Sequence, residues 1–164
     1  MKKFFGMIFG VFSKKKKKKK PALNVSGRHI NEIVVHCSAS DYAHHDNIES
    51  LRSWHLERGW SDIGYHSVLT KDGKKHNGRD ESIMGAGVKG NNRNTIHICL
   101  TGNNHFSAAQ FKALRTELKR LCKKYSIKYE YNNGISPHNR YANKACPNFN
   151  LKKMLTNTGT YTSI

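Results

Sequence analysis

Ten histidines in 164 residues are too many to read alike, and two stand apart by their surroundings. His36 sits at the polar end of the apolar run Ile33-Val34-Val35. His138 lies in Pro137-His138-Asn139, with Cys146 eight positions later and followed by Pro147. A catalytic zinc ion takes three protein ligands drawn from histidine, cysteine and carboxylate, and keeps the fourth tetrahedral position for water. A His, His, Cys set suits that chemistry. The spacing matches none of the compact paired patterns of structural zinc sites. On spacing alone, a metal site and a scatter of ordinary surface or structural residues both remain open.

The other candidates read more plainly. Cys37, Cys99 and Cys122 fall in strand or helix patterns, where a free cysteine behaves as a small core hydrophobe. A chain of this length does not need disulfides to fold, so the four cysteines are expected as reduced thiols. His44 and His45 lie in a polar stretch, which predicts surface exposure. His66 follows Tyr65 in a strand-like run and should point to the opposite face, so the two should not line one cleft.

The elements that must position these residues follow from periodicity and caps. Residues 30–37 form a β-rich run that ends in His36 and Cys37. Asp46 with Glu49 resembles a capping box, and Ile48, Leu51 and His55 then repeat at helical spacing up to Gly59. Residues 65–70 predict a second strand, residues 71–74 a hairpin turn, and residues 75–79 a returning third strand. Residues 85–94 read as loop. Residues 95–101 predict a fourth strand with Ile96, Ile98 and Leu100 on one face, ended by Gly102.

Ser107 with Gln110 forms a second capping box, opening a long amphipathic helix through Phe111, Leu114, Leu118, Leu121, Cys122 and Tyr125. Asn132-Asn133-Gly134 marks a turn, a short extended segment leads into Pro137-His138, and Asn150 can start a last helix over residues 151–155. Strands interleaved with helices predict an α/β or α+β arrangement, one sheet covered by helices, with a cleft where strand ends meet loops.

Bulk properties bound the partners. The chain carries a formal net charge of +18 with 37% hydrophobic residues, enough apolar content for one core of ordinary domain size. Lys2, Lys3 and the run 14–20 hold 9 of the 29 basic residues, leaving 20 against 11 acids in the rest. Such a surface attracts anionic polymers or lipid without choosing among them. Specific nucleic-acid binding is not expected, because no reading motif or stacking platform accompanies the charge.

The first residues, MKKFFGMIFGVFS, have the basic start and apolar stretch of a secretory signal but no small-residue cleavage pattern before the lysine run. The apolar stretch is too short to span a bilayer. Two readings of it stand side by side: a shallow peripheral anchor in which the phenylalanines insert and the lysines meet anionic head groups, or a solvated tail. The expected organisation is a tail over residues 1–28, a folded domain over 29–156 and a flexible tail over 157–164, made in the cytoplasm as a monomer.

Read together, the blocks IVVHCSAS, SWHLERGWSDIGYH, GRDE, KGNN, IHICLTG and NKACPNF resemble the type 2 N-acetylmuramoyl-L-alanine amidases. They resemble especially the small bacteriophage lysozyme-type members, which share a fold with peptidoglycan recognition proteins. The resemblance runs from about residue 30 to residue 155 and keeps the family's order of blocks. It implies an α/β fold with a single mixed central sheet flanked by helices. It also implies one zinc ion held by His36, His138 and Cys146, and hydrolysis of the amide between N-acetylmuramic acid and L-alanine in peptidoglycan.

By the same resemblance Tyr65 orients substrate or water and assists proton transfer, and Lys144 stabilises the oxyanion. The alternative is a non-catalytic peptidoglycan-binding module, against which Cys146 argues, since binding-only relatives commonly lack that cysteine. Three positions depart from the family pattern. The loop over residues 85–90 lacks the histidine that relatives often carry near Gly87, His97 replaces a small residue, and Asn139-Arg140 replaces a more usual His or acidic pairing. Substrate contacts and the groups behind the ligands are where these departures should be felt.

Overall fold

The computed structural model describes residues 27–156. The tail residues for which membrane contact was considered, and residues 157–164, lie outside the described residues. No helix among the described residues is long and apolar enough to cross a membrane.

The first strand, β1 (Glu32–Cys37), is followed by helix α1 (Ile48–Glu57), the short hairpin strands β2 (Ser67–Leu69) and β3 (Lys75–Asn77), and strand β4 (Thr95–Leu100). Helix α2 (Ala108–Tyr125), strand β5 (Ile135–Pro137) and helix α3 (Leu151–Thr156) complete the domain. One mixed sheet has the order β3-β2-β4-β1-β5. β1 runs parallel to both β4 and β5, β2 runs parallel to β4, and only the β2–β3 hairpin is antiparallel.

The two long strands, β1 and β4, are buried almost throughout, as parallel strands must be when both sheet faces are covered. On one face Ile33, Val35, Ile96, Ile98 and Leu100 pack against Phe111, Leu114, Leu118 and Leu121 of α2 and Leu151 and Met154 of α3. Each large aliphatic side chain removed from water there stabilises the fold by about 2 kcal/mol. On the other face Val68 and Cys99 pack with Ile48, Leu51 and Ile63. That face also presents His36 and His97, because side chains alternate along β1 and β4.

The long helix begins as its sequence predicts: the Ser107 hydroxyl accepts from the Gln110 N–H, and the Gln110 side chain accepts from the Ser107 N–H. Gln110 also donates through Nε2 to the carbonyls of Leu69 and Thr101, joining the helix start to the ends of β2 and β4.

The first helix corrects its predicted start. Asn47, not Asp46, is the N-cap, its side chain accepting from Ser50 N–H. The Asp46 carboxylate is committed instead to the Lys71 N–H and the Thr101 hydroxyl, a long-range use that local cap preferences cannot reveal. The second and third strands are also shorter than predicted, 67–69 and 75–77. Around them the chain is held by Arg79, which donates to the carbonyls of Asp62, Ile63 and Met84.

Candidate metal centre

His36 is the penultimate residue of β1, and its side chain is fully buried. The β1–β5 register sets Val35 opposite Pro137, so His138, the next residue after β5, arrives beside His36. His138 opens a 3-10 turn over His138–Arg140, and there its ring meets the His36 ring with centroids 4.6 Å apart. The chain then doubles back: Tyr141 N–H donates to His138 O, and Asn139 N–H donates to Cys146 O at 2.8 Å. This short loop returns Cys146 to the histidine it left eight residues earlier, ahead of a cis Cys146–Pro147 bond.

The three predicted ligands meet. The Nδ1 atoms of His36 and His138 are 3.1 Å apart, and Cys146 Sγ is 3.9 Å from His36 Nδ1. All three donor atoms fall within 4.8 Å of one another, the one such group of three found among the described residues. A tetrahedral zinc ion with ordinary bond lengths has N···N edges of about 3.3 Å and N···S edges of about 3.6 Å. The donor set therefore fits zinc in identity, and the two edges at His36 lie close to these values. These three residues are positioned to coordinate a single divalent metal such as Zn2+.

The electrostatics suit metal binding. Burial lowers the pKa of His36 well below its usual value, with the neighbouring His97 and His138 adding to the effect. His138 is lowered too, by burial first and by the Lys144 charge second. Both imidazoles are consequently neutral at pH 7, with lone pairs to offer. The Cys146 thiol is pushed up by its contact with the Cys37 thiol and by burial, so an incoming metal must displace that proton. The Cys37 backbone N–H, aimed at Cys146 Sγ at 3.3 Å, supports the thiolate that results.

Tyr65 lies against the same site, its ring 5.0 Å from the His36 ring. Burial raises its phenol well above the ordinary range, and the thiols of Cys99, Cys146 and Cys37 raise it further. The hydroxyl thus stays protonated and acts as a donor. Lys144 is exposed, in the loop between His138 and Cys146.

His55 positions Tyr65. Its Nδ1 accepts the Gly64 N–H at 3.0 Å, one face stacks on Trp60, and Tyr65 meets it edge-on at 5.2 Å. The helical spacing of α1 predicted His55 to face inward but carried no sign of this role.

Other histidines fall away from the ligand set. β2 begins only at Ser67, so strand alternation does not govern Tyr65 and His66, and both rings lie against neighbouring imidazoles. Tyr65 meets His36, while His66 stacks on His97 at 5.7 Å. His66 does not open onto the cleft: it is buried, with Nδ1 accepting the His97 N–H and Nε2 bonded to Ile83 O. His44 is exposed and His45 partly so, in a 3-10 turn at Ala43–His45. All four cysteines are free.

Comparison with known proteins agrees with this geometry. A family model described as N-acetylmuramoyl-L-alanine amidase matches residues 26–149. The endolysin of Escherichia phage T7 is 38% identical over 129 residues, covering 74% of this chain and 82% of that one. The Drosophila melanogaster peptidoglycan-recognition protein SC2 is 26% identical over 132 residues, covering 75% and 71%. Among solved structures, the N-acetylmuramoyl-L-alanine amidase LysC from Clostridium intestinale superposes with a TM-score of 0.70 at 25% identity, covering 85% of this chain and 91% of that one. Drosophila PGRP-LB, at 21% identity and a TM-score of 0.66 over 90% and 92%, shares the fold. With the family match spanning most of the chain and the zinc donor set assembled, this protein belongs to the N-acetylmuramoyl-L-alanine amidase family.

Proposed function

We propose that this protein hydrolyses the amide between N-acetylmuramic acid and L-alanine in peptidoglycan at the zinc site of His36, His138 and Cys146, with Tyr65 and Lys144 as its catalytic side chains. The observation that carries the reading is the convergence of two imidazole nitrogens and one thiol within 4.8 Å beside the Tyr65 ring. Zinc held there by His36, His138 and Cys146 would supply Lewis-acid chemistry that polarises the scissile carbonyl and makes water more acidic. Two neutral imidazoles and one thiolate leave a divalent ion with net positive charge, which preserves that acidity.

The side chains divide the remaining work. Tyr65, kept protonated by its surroundings, donates a hydrogen bond that orients the substrate carbonyl or the attacking water and hands on a proton as the amine leaves. Lys144 carries its positive charge beside His138 and balances the negative charge that develops on the carbonyl oxygen. The complete donor set favours catalysis over a binding-only role. The 20 basic against 11 acidic residues outside the first lysine-rich segment favour approach to an anionic wall.

The test is digestion of purified peptidoglycan by the zinc-loaded protein, followed by mass analysis. Free stem peptides with new L-alanine amino termini should appear and should vanish with a chelator. Intact glycan-peptide linkages after incubation with zinc would overturn the proposal.

A further inference from the structure

Behind the metal ligands runs a line of hydrogen bonds whose direction can be read from its far end. The Thr95 hydroxyl lies 2.6 Å from the carbonyl oxygen of Asn91. A carbonyl has no proton to give, so the hydroxyl donates to it. The Thr95 oxygen then has only lone pairs for its other partner, His97 Nε2 at 3.0 Å, and His97 must carry its proton on Nε2. That leaves His97 Nδ1 as an acceptor, 3.1 Å from His36 Nε2. His36 in turn must hold its proton on Nε2. Its Nδ1, the atom facing His138 and Cys146, is bare.

We propose that His97 is a positioning residue that, anchored by Thr95 and Asn91, fixes His36 in the one tautomer able to offer Nδ1 to the metal. A ligand histidine ordinarily donates its second N–H to a carboxylate, a carbonyl or water. Here the acceptor is another imidazole, supplied by the strand next to β1. Its backbone N–H is bonded to His66 Nδ1 at 2.9 Å, and the His66 ring stacks against it, so the His97 ring is held at two levels.

Gly87 belongs to the same device. A Cβ at residue 87 would stand 2.6 Å from His97 Nδ1 and 3.0 Å from His36 Nε2. Only glycine lets the 85–94 loop close over this bond. Two departures from the family pattern, a histidine gained at 97 and a side chain missing at 87, are thus one coupled arrangement.

The inference rests on the metal assignment of the same site, and the two can fail separately. Metal content of the wild-type full chain tests the assignment: one zinc per chain is expected, and a chain that binds none removes both. Long-range 1H–15N imidazole correlation spectra of the zinc-loaded protein should show His36 and His97 each protonated on Nε2; a proton on Nδ1 of either ring overturns the inference while leaving zinc binding intact. By competition with a chromophoric chelator, His97→Ala and Thr95→Val should each weaken zinc affinity about 10–100-fold. His97→Asn, whose amide oxygen can stand near the lost Nδ1, should recover most of it. A folded His97→Ala that binds zinc as tightly as wild type refutes the proposal. If that variant fails to fold, Thr95→Val and the wild-type tautomers decide.

Discussion

Acid should unlock the turn that carries Tyr65 before it dissolves the rest of the fold, and His55 is where to test it. Burial lowers its pKa from 6.5 to about 4, with the Arg58 and Arg79 charges adding to the effect, and the fold uses the neutral ring as acceptor for the Gly64 N–H. The folded value lies below the unfolded one. Its contribution is therefore fully present above pH 6.5 and is lost as pH falls towards 4. Between pH 7 and 4.5 that single group removes about 2 kcal/mol of stability by linkage. His66, also lowered to about 4 by burial, removes a similar amount. Glu81, lowered to about 2 despite the opposing effect of burial by its bonds to Lys124, Tyr125 and Arg120, loses its contribution chiefly below that window.

His55→Phe isolates the effect. At pH 7 the variant leaves the Gly64 N–H without its acceptor and should be less stable by about 1–3 kcal/mol. At pH 4.5 the wild-type ring is itself under pressure to protonate, so the two stabilities should converge. Guanidinium unfolding followed by Trp54 and Trp60 fluorescence at several pH values measures this directly. Comparing the proteins cancels acid effects common to both, including loss of metal. Curves that stay parallel from pH 7 to 4.5 would refute the account of His55.

Zinc at 100 times its dissociation constant should stabilise the wild type by about 2.7 kcal/mol; Cys146→Ser should lose most of that gain in a thermal melt and all peptidoglycan turnover. Tyr65→Phe should keep its zinc, by metal analysis, while kcat falls about 100-fold or more. Lys144→Met should behave similarly, with kcat reduced about 100-fold and KM little changed, if its charge acts on the oxyanion. Gly87→Ala should cost about 1–3 kcal/mol through overpacking against His97 and His36, measured by chemical unfolding with zinc saturating.

What the sequence disclosed was mostly local or already assembled into family blocks. β1 reads directly from its apolar run, and α2 from its apolar spacing and capping box, because a strand or cap is encoded within a few residues. His36, His138 and Cys146 stood out by their surroundings as one open reading, and only the resemblance assigned them together to zinc, since the interval between them says nothing about a β1–β5 register.

The shift of the α1 cap to Asn47 was illegible because adjacent Asp46 and Asn47 are both good caps. The choice was made by Lys71 and Thr101, distant in the chain. His97 looked like a loss of family character at one position, and Gly87 like a loss at another. Their meaning required the β1–β4 register that sets Val34 beside His97 and His36 beside Cys99, together with the loop that brings Gly87 over both rings.

The pairing of β1 with β5 joins donors 102 positions apart, and the third ligand comes later still, after the last strand of the sheet. Across those positions the growing chain carries His36 with no second donor of the set to share a metal. The donor set is therefore complete only once the chain has passed every strand of the sheet and reached Cys146, with α3 alone still to follow among the described elements. By the order of its strands, the chain brings its metal donors together only through long-range pairing, so no short segment of it holds the centre by itself.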